Sequence, residues 1–355
     1  MPSSRYTSDS FAEREQRDVF SKAWIVASRT RHLMQPGDFV TVDGAGPSVF
    51  VVRDKQGHLR AYRNSCRHRG TRLLEGRGNV SAIRCPYHDW KYALDGRLRH
   101  IPGRDGFEPL DRDSLGLLPV RVEEWGGFTW VNQDSEAEPL LSSLGGLVEE
   151  LAPYRLEEMV PIQEAVWTLP CNWKALLDNA TESYHLESVH NQSVQQHVDT
   201  EPDFTVYGDH HRLTLEIAGY EWRKWLDHRT ARGGPYTDKQ YAELHKYLLF
   251  PNFLINVLPY HLTVFQVFPD GVDRCKFVYG FYKRQGARGL EALRAYATWA
   301  ASRWIWREDL AIIRQFQRGV MASEDGVHRL HDEEVAIAHF HAVLSRWTNL
   351  NDTES

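Results

Sequence analysis

The chain has 355 residues, of which 42% are hydrophobic, and its formal net charge at neutral pH is −6. This length and apolar content predict two domains, each with its own core, and the acidic balance gives no reason to expect nucleic acid or a membrane surface as a partner. Only four cysteines are present, so a disulfide framework is excluded and a reducing, cytoplasmic location is expected.

The N-terminal part combines one helix with a long run of strands. The first ten residues are polar and lack the apolar stretch of a signal peptide. From Ser10 to Ser28, apolar residues recur among charged neighbours and predict a helix. From Gly37 to about Asn132, short alternating runs bounded by Gly, Pro and Asp-Gly turns predict β-strands, at residues 39–42, 48–52, 59–62 and 120–122.

Two short motifs in this β region carry metal-binding chemistry. Cys66-x-His68 is followed, after sixteen residues, by Cys85-x-x-His88. Two thiolates and two imidazoles are the ligand set of a Rieske [2Fe–2S] centre, with the cysteines on one iron and the histidines on the other. Neutral imidazoles raise the reduction potential of such a cluster above that of an all-cysteine cluster. Zinc is the alternative, although zinc modules usually pair like ligands or use three or four cysteines.

The segment from Glu136 to Pro161 is rich in Pro and Gly and predicts a domain boundary. Beyond it, strand-like runs are segregated from helix-like runs, which predicts an antiparallel α+β domain. The strand-like runs are Thr205–Tyr207, Arg212–Ile217, Leu254–Val257, Leu262–Phe268 and Lys276–Tyr282. The helix-like runs are Trp173–Val189, Tyr236–Tyr247, Gly289–Gly319 and Asp332–Trp347.

The most apolar stretch of the chain lies between Leu248 and Phe268. Prolines, asparagines and other polar residues interrupt it, so it predicts strands joined by turns and not a membrane helix. The absence of a membrane-spanning segment argues against the membrane-anchored Rieske proteins of respiratory chains.

A second candidate metal site lies in the C-terminal half. His185 and His190 are five residues apart, which separates them by about 140° on a regular helix. Both can therefore bind one metal only if the helix ends, or carries a π-type bulge, near Leu186–Val189. Alone, this spacing is weak support for a metal site, because the chain contains 17 histidines.

Both motifs resemble those of one family. The runs C-R-H-R-G and R-C-P-Y-H-D-W-K-Y-x-x-D-G, and the later run N-W-K … N-x-x-E-x-Y-H-x-x-x-x-H, resemble the oxygenase (α) subunits of Rieske non-haem iron oxygenases, the ring-hydroxylating dioxygenase family. One position departs from it, since Asp89 stands where the family usually has Gly. Asp tolerates left-handed backbone angles better than most residues, so the turn is expected to survive.

The resemblance covers nearly the whole chain and implies an α+β architecture. Residues 1–36 would form an N-terminal helical segment that packs on the catalytic part. Residues 37–150 would form an all-β Rieske [2Fe–2S] domain. Residues 151–355 would form a catalytic domain of the helix-grip (START-like) type, with an antiparallel sheet and a mononuclear iron.

The resemblance also implies the ligands of that iron. Non-haem Fe(II) oxygenases use two histidines and one carboxylate, here His185, His190 and Asp309 at the family positions. Glu308 is the adjacent competitor for the carboxylate. Two neighbouring helix residues point about 100° apart, so only one of them is expected to face the iron.

Glu182 lies three residues before His185 and therefore close to the same helical face. The family carries an acidic residue here, commonly Asp, that links the iron to the cluster of a neighbouring subunit. The resemblance thus implies a connection from His88 of the partner subunit through Glu182 to His185, in a homotrimer. Glu187 is interpreted as an exposed helix charge.

As a function, these features predict the terminal oxygenase of a Rieske system that uses O₂ to hydroxylate a small organic substrate. The chain has no nucleotide-binding glycine fingerprint, so electrons from NAD(P)H are expected to arrive through a separate flavin reductase, a ferredoxin, or both. Ring dihydroxylation of an aromatic substrate is the first expectation. Monooxygenation, such as N- or O-demethylation of a quaternary ammonium compound or an aryl ether, is the alternative, and a non-enzymatic electron carrier is a third, different class.

Two further sets of residues are left with open interpretations. Arginines near the cluster motifs could form a docking patch for an acidic redox partner or be solvated loop charges; they are Arg63, Arg67, Arg69, Arg72, Arg77 and Arg84. Aromatic walls could bind planar arenes or, through cation–π contacts, quaternary ammonium groups, or could simply be core. The candidate pocket residues are Phe204, Trp222, Phe253, Asn256, Leu258 and Phe265.

Overall fold

The computed structural model describes residues 1–194, 198, 202–218, 237–323 and 326–349. The chain divides into two compact units. The N-terminal unit comprises Phe20–Leu140, and the C-terminal unit comprises Met1–Val19 together with Leu141–Ser355. The predicted N-terminal segment 1–36 is therefore shared between the two units. The second boundary, between the β unit and the C-terminal unit, lies at Leu140, whereas the sequence analysis placed it at residue 150.

The N-terminal unit consists of two antiparallel sheets. The larger has the strand order β1-β10-β9-β4-β3-β2-β5 and the smaller the order β6-β7-β8. The strands are β1 (Ile25–Arg29), β2 (Asp38–Val42), β3 (Val49–Arg53), β4 (Leu59–Arg63), β5 (Arg77–Asn79), β6 (Ile83–Arg84), β7 (Lys91–Tyr92), β8 (Leu98–His100), β9 (Pro119–Trp125) and β10 (Phe128–Asn132). The predicted all-β region and its end at Asn132 are confirmed.

The core of this unit surrounds the cluster motifs. Phe50, Ile83 and Tyr92 are fully buried, and Cys66 and Cys85 belong to the same apolar cluster with only 3% of their surface exposed. Both cysteines stand on loops, one between β4 and β5 and the other between β6 and β7. The two thiols are therefore held in an interior that excludes bulk water.

The C-terminal unit is a seven-stranded antiparallel sheet with helices. Its strands follow the order β11-β17-β16-β15-β14-β13-β12. They are β11 (Met159–Leu169), β12 (Asp203–Tyr207), β13 (His210–Glu216), β14 (Glu243–Leu249), β15 (Phe253–Leu258), β16 (His261–Pro269) and β17 (Cys275–Arg284). Its α-helices in the described residues are α1 (Ser4–Thr7), α2 (Asp9–Arg14), α3 (Leu140–Leu144), α4 (Leu147–Leu151), α5 (Trp173–Ala180), α6 (Leu186–Val189), α7 (Asp238–Ala242), α8 (Gly289–Val320) and α9 (Val335–Thr348).

The long helix α8 lies on one face of this sheet. On α8, Trp299 donates to Gln163 of β11, and Trp306 packs edge-on against Phe265 of β16 at 4.5 Å. The opposite face receives the segment around α4, where Tyr247 of β14 donates to Glu150. An antiparallel sheet gripped on one face by a long helix confirms the predicted fold class of this domain.

Several predicted elements differ from those in the structure. The helix predicted for Ser10–Ser28 ends in a π-helical turn at Phe20, because the β-branched run that follows pairs with β10 as β1. The helix predicted for Tyr236–Tyr247 starts outside the described residues and is helical only as α7; its second half is the strand β14. The boundary segment contains α3, α4 and the beginning of β11.

The apolar stretch between Leu248 and Phe268 forms the end of β14, all of β15 and most of β16. The prediction of strands is therefore confirmed. Within the described ranges, no helix combines the length and apolar character needed to cross a bilayer.

Candidate cluster loops and metal centre

The two loops that carry the Cys/His motifs have the same backbone hydrogen bonds. In the first, the Cys66 amide donates to Thr71 and the Cys66 carbonyl accepts from Gly70. In the second, the Cys85 amide donates to Trp90 and its carbonyl accepts from Asp89. Each loop is thus closed on itself by the backbone of its cysteine, which fixes where the thiol points.

Asp89 occupies the position in the second loop that Gly70 occupies in the first. Gly70 has φ +76° and Asp89 has φ +53°, so both are left-handed. Asp is among the residues that tolerate this conformation, because its short polar side chain can interact locally. The carboxylate lies 3.5 Å from Arg84 and 3.2 Å from Lys91. The expectation that the turn survives without glycine is confirmed.

The four donor side chains converge between the loops. Burial is the main cause of the raised pKa of Cys66, and the neighbouring thiol of Cys85 raises it further. A hydrogen bond from Tyr92 opposes that rise. The rings of His68 and His88 lie 4.8 Å apart between centroids. Nδ1 of His68 is buried and has no hydrogen-bond partner among the described residues. A buried polar atom without a partner requires an explanation, and a metal ion bound at that nitrogen supplies one.

This donor set fits a Rieske cluster. Two adjacent buried thiols and two adjacent imidazoles can bind two irons as a pair of unlike sites. Burial, the charge of His88 and the charge of Arg69 together lower the pKa of His68, which favours the neutral imidazole that metal ligation requires.

Aromatic residues around the loops were not identified as site residues from the sequence. Trp90 stacks on His68 at 5.0 Å, and Tyr87, which is 58% exposed, stacks on His88 at 3.8 Å. The hydroxyl of Tyr92 lies 3.3 Å from Sγ of Cys66 and accepts from the Arg67 amide at 3.0 Å. Their proximity to the motif in sequence was the available signal, but no periodicity distinguishes them from ordinary core aromatics.

The arginines near these loops have mixed surroundings. Arg72 forms a bidentate ion pair with Asp43 and donates to Leu74, which is a structural role. Arg69 lies over the ring of Tyr87, and Arg67 donates to Ser114. Arg77 is exposed on β5, and Arg63 lies on β4. Part of the set therefore stabilises the loops, and the docking role stays a prediction for the exposed members.

In the C-terminal unit, the helical segment is interrupted before His185 and ends again just before His190. Helix α5 (Trp173–Ala180) is capped by Asn172, whose side chain accepts from the Lys174 amide. A turn follows, and His185 and His190 flank the four-residue helix α6. A regular helix would have pointed the two rings apart, but α6 ends at Val189 and the backbone of His190 is no longer helical. The two ring centroids lie 5.1 Å apart. The irregularity predicted near Leu186–Val189 is limited to the end of α6 at Val189, and the larger interruption, between Ala180 and His185, was not predicted.

Asp309 on α8 completes a three-residue cluster with these histidines. Donor atoms of His185, His190 and Asp309 lie within 4.8 Å of one another. Oδ1 of Asp309 lies 2.8 Å from Nε2 of His190 and 3.6 Å from Nε2 of His185. Ligands about 2.1 Å from a divalent metal are separated by about 3 Å when the angle between them is near 90°. The three side chains therefore fit a single metal ion, with one carboxylate and two imidazoles as in non-haem iron sites.

The other nitrogen of each imidazole contacts a second carboxylate. Nδ1 of His185 forms a close hydrogen bond with Glu182, which also accepts from the His185 amide at 3.1 Å. Nδ1 of His190 lies 2.7 Å from Glu308, which Ser193 also contacts at 2.7 Å. Carboxylates in this position fix the tautomer and the ring orientation of a ligating histidine. Both Nε2 atoms are thus directed towards Asp309.

Glu308 and Asp309 divide two roles that the sequence left as alternatives. They point in different directions from α8, as expected, yet both reach His190, one at each ring nitrogen. Burial lowers the pKa of His190, but the hydrogen bonds and charges of Asp309 and Glu308 outweigh it and raise that pKa. The hydrogen bond from His190 holds the pKa of Glu308 below its usual value. This concentration of negative charge favours a bound cation. Glu187 is exposed, in agreement with its interpretation.

The candidate pocket residues divide between the two faces of the sheet. Strand register places Asn256, Leu258 and Phe265 on the face that α8 covers, with Phe204 at its far end. Phe253 alternates to the opposite face, and Trp222 lies outside the described residues. Lys246 of β14 also belongs to the α8 face, opposite Asn256. It was missed because this segment was predicted to be a helix.

Comparison with known proteins agrees with both sites. Residues 23–115 match the Rieske [2Fe–2S] domain family, and residues 155–350 match the catalytic domain of ring-hydroxylating alpha subunits. The chain is 31% identical to the carnitine monooxygenase oxygenase subunit of Escherichia coli K12, over 98% of this chain and 93% of that protein. It is 28% identical to the chloroplastic choline monooxygenase of Beta vulgaris, over 93% of this chain and 75% of that protein.

Solved structures give the same result. A quaternary ammonium Rieske monooxygenase, crystallised with L-carnitine as its substrate, superimposes with a TM-score of 0.80 at 27% identity and covers 98% of this chain and 95% of that one. The matched families span both candidate sites. The chain therefore belongs to the Rieske non-haem iron oxygenases, as an alpha-type oxygenase subunit with a Rieske [2Fe–2S] domain and a catalytic non-haem iron domain.

Proposed function

We propose that this chain is the oxygenase component of a monooxygenase that hydroxylates a carbon bound to the nitrogen of a quaternary ammonium compound. The observation that carries the proposal is the His185–His190–Asp309 cluster, with a carboxylate behind each histidine, in a chain that also holds the Cys/His loops. The similarity to proteins named for carnitine and choline selects the substrate class. It favours the monooxygenase alternative over the first expectation of ring dihydroxylation.

In this proposal the two sites have separate tasks. Cys66 and Cys85 would hold one iron of the cluster, and His68 and His88 the other. His185, His190 and Asp309 would hold the mononuclear iron. When bound, that iron supplies open coordination positions at which O₂ can be activated beside the substrate.

The surrounding side chains orient these ligands. Glu182 and Glu308 each hold the proton of a histidine at Nδ1, so that the lone pair of Nε2 is directed towards the metal position. Ser193 keeps Glu308 in place. Removing either carboxylate would leave a buried imidazole free to rotate or to change tautomer, which weakens metal binding without deleting a ligand.

The chemistry balances with a supply of two electrons. One oxygen atom of O₂ enters a C–H bond to give an alcohol, and the other leaves as water after taking up two protons and two electrons. If the hydroxylated carbon is bound to the quaternary nitrogen, the product collapses: the C–N bond breaks, the carbon becomes an aldehyde, and the amine keeps the hydroxyl proton. Hydroxylation of an N-methyl group therefore releases formaldehyde.

The proposal includes a homotrimer in which electrons cross between subunits. Glu182 would connect His88 of the partner subunit to His185. Its burial and its contact with Nδ1 of His185 support this role, because a carboxylate between two metal-bound imidazoles fixes both. A similar solved structure, 26% identical to this chain, is described as revealing inter-subunit electron transfer.

Electrons would reach the cluster from NAD(P)H through a separate reductase. The exposed arginines near the cluster loops, Arg69, Arg77 and Arg84, would favour an acidic partner, since complementary charge accelerates encounter. The dependence on ionic strength of the rate of cluster reduction is a direct measure of this contribution.

Turnover with labelled oxygen tests the proposal. Protein with both metal centres is combined with a surrogate reductase, NADH and a panel that contains quaternary ammonium compounds and arenes. We expect NADH consumption only with the former, one ¹⁸O atom from ¹⁸O₂ per product, and an aldehyde that matches the cleaved C–N bond. A cis-diol carrying two labelled atoms would refute monooxygenation, and a protein that holds a cluster but no mononuclear iron would support an electron carrier.

A further inference from the structure

A row of side chains that are polar except for Phe281 crosses the sheet beneath α8. Lys246 of β14 pairs with Asn256 of β15, and Asn256 pairs with Thr263 of β16. The row continues to Phe281 of β17 and Gln163 of β11, and Trp299 of α8 donates to Gln163. Directly paired residues share a face of a sheet, so all five lie on the face that α8 covers. A central sheet face under a helix is normally apolar, which makes this row unusual.

Lys246 has unused hydrogen-bonding capacity. Its ammonium group donates to the carbonyl of Ala180, the last residue of α5, at 3.2 Å. An ammonium group has three donors, and no carboxylate of the described residues lies within ion-pair distance of Lys246. Burial lowers the pKa of Lys246, and the charges of Glu182 and Asp309, which lie beyond ion-pair distance, oppose that effect. Lys246 nevertheless keeps part of its surface exposed, so a ligand that enters this face can reach it.

Asn256 offers a second polar group in the same row. Its side-chain oxygen is buried and has no hydrogen-bond partner in the described part of the chain, although the residue as a whole is only partly buried. The two ends of an amide are interchangeable by a flip of the side chain. Asn256 can therefore direct its amide N–H groups to the same ligand that Lys246 binds, and the hydroxyl of Thr263 lies next in the row.

Aromatic rings occupy the next row along the strands. Phe265 follows Thr263 by two residues, which is a distance of about 7 Å along a strand. Its ring stacks on Tyr279 at 5.8 Å and meets Trp306 of α8 at 4.5 Å. Trp306 precedes Asp309 by three residues, and residues with this separation are neighbours on one face of a helix. Quaternary ammonium groups bind to such ring faces through cation–π contacts.

From this arrangement we infer that Lys246, with Asn256 and Thr263, binds an anionic group of the substrate, so that the substrate is a zwitterion. The inference rests on the proposed function and specifies its substrate class: a quaternary ammonium compound that carries a carboxylate a few carbons from the nitrogen. The polar row holds the carboxylate, and the aromatic rings around Trp306 hold the ammonium group. The bond to be hydroxylated is thereby presented to the cluster formed by His185, His190 and Asp309.

The competing explanation is that Lys246 only stabilises the C-terminal end of α5, as a cation near the last carbonyls of a helix. In that case it would position the following turn, with Glu182 and His185, and its loss would affect every substrate equally. An anionic anchor instead affects only substrates that carry the anion. Matched substrates with and without a carboxylate separate the two explanations.

The test compares Lys246→Met with wild type, using carnitine and glycine betaine as zwitterions and choline as the carboxylate-free quaternary ammonium compound. Kd by calorimetry and KM by turnover are measured on protein that carries both metal centres. We expect K246M to raise the Kd and KM of both zwitterions by about ten- to a hundredfold, the usual effect of a lost hydrogen bond to a charged group. The Kd and KM of choline should change by less than about twofold. Lys246→Arg should recover part of the difference.

Lys276→Met is the matched control, because Lys276 lies on β17 and alternates to the opposite face of the same sheet. K276M should leave Kd and KM unchanged for all three substrates. Cluster absorbance and thermal unfolding establish that each variant is folded. An equal loss for choline and the zwitterions in K246M would overturn the anchor and assign Lys246 a positioning role. If the wild-type protein binds choline more tightly than the two zwitterions, the anchoring role of Lys246 is also refuted, while the proposed function stands. If none of the three is bound or oxidised, the proposed function itself fails.

Discussion

The four candidate ligands of the cluster loops all lie in the stretch between Cys66 and His88, whereas the candidate mononuclear iron site joins His185 and His190 to Asp309, 119 positions beyond His190. In the loops, each cysteine closes its own turn through backbone hydrogen bonds to residues four and five positions away. The ligand geometry is therefore local. In the iron cluster, the geometry depends on α8 docking against the segment that follows α5.

The two sites also differ in what holds the histidines. His68 and His88 stack on the aromatic residues Trp90 and Tyr87. His185 and His190 instead hydrogen-bond to Glu182 and Glu308. In the cluster loops the imidazoles are therefore oriented by ring stacking, and in the candidate iron site by hydrogen bonds to carboxylates, which also fix the tautomer.

If the sites are built independently, each should load without the other. Cys85→Ser should abolish the cluster completely and leave about one iron per chain, whereas His190→Ala should keep the cluster and leave about two. Iron and sulfide analysis, with visible absorbance and electron paramagnetic resonance of the reduced protein, gives both values. Cys275→Ser, a buried thiol of the C-terminal unit, is the control and should retain both centres. Loss of both centres in either test variant would show that the two sites fold as one.

Glu182 is the residue through which the two sites are proposed to communicate. In Glu182→Gln both centres should load normally, while turnover should fall at least about a hundredfold, the upper range for a carboxylate behind a metal-bound histidine. Single-turnover oxidation of the pre-reduced cluster should slow by the same factor. Glu187→Gln removes an exposed carboxylate of the neighbouring helix and should have no effect. Full activity in E182Q would remove the connecting role.

The division of roles between Glu308 and Asp309 predicts a graded effect. Asp309→Asn removes a ligand and should abolish iron retention, whereas Glu308→Gln should weaken iron binding by about ten- to a hundredfold. Titration of the iron-loaded protein with a chelator measures both, with the cluster absorbance as an internal standard. Equal iron loss in the two variants would identify Glu308 as a ligand in its own right.

Much of the cluster site could be predicted because its determinants are local. Ligand types and spacing specify the loops, and the left-handed turn at Asp89 follows from the chemistry of one side chain. A helix end between His185 and His190 could also be predicted, since no regular helix brings both residues to one metal; the interruption between Ala180 and His185 could not. In each case the constraint acts within a few residues of the sequence.

Other features required tertiary pairing. β14 alternates Glu243, His245 and Tyr247 with Leu244 and Lys246, so both faces carry polar residues and no period-two contrast appears. It is a strand because β13 and β15 pair with it on either side. The same error hid Lys246, since only the strand places it on the α8 face. That Glu308 shares His190 with Asp309 likewise depends on the docking of α8.

The smallest expected effect tests whether the cluster loops are as local as their hydrogen bonds indicate. At φ +53°, Asp89→Gly removes backbone strain and the weak, exposed contacts with Arg84 and Lys91. Each of these contributions is about 1 kcal/mol or less, so stability in urea should change by less than about 1 kcal/mol. Asp89→Val should cost about 1–2 kcal/mol, because a β-branched residue resists a positive φ. Cluster absorbance followed during unfolding reports both. A D89G variant that fails to load the cluster would mean that the carboxylate, and not the backbone turn, supports the second loop.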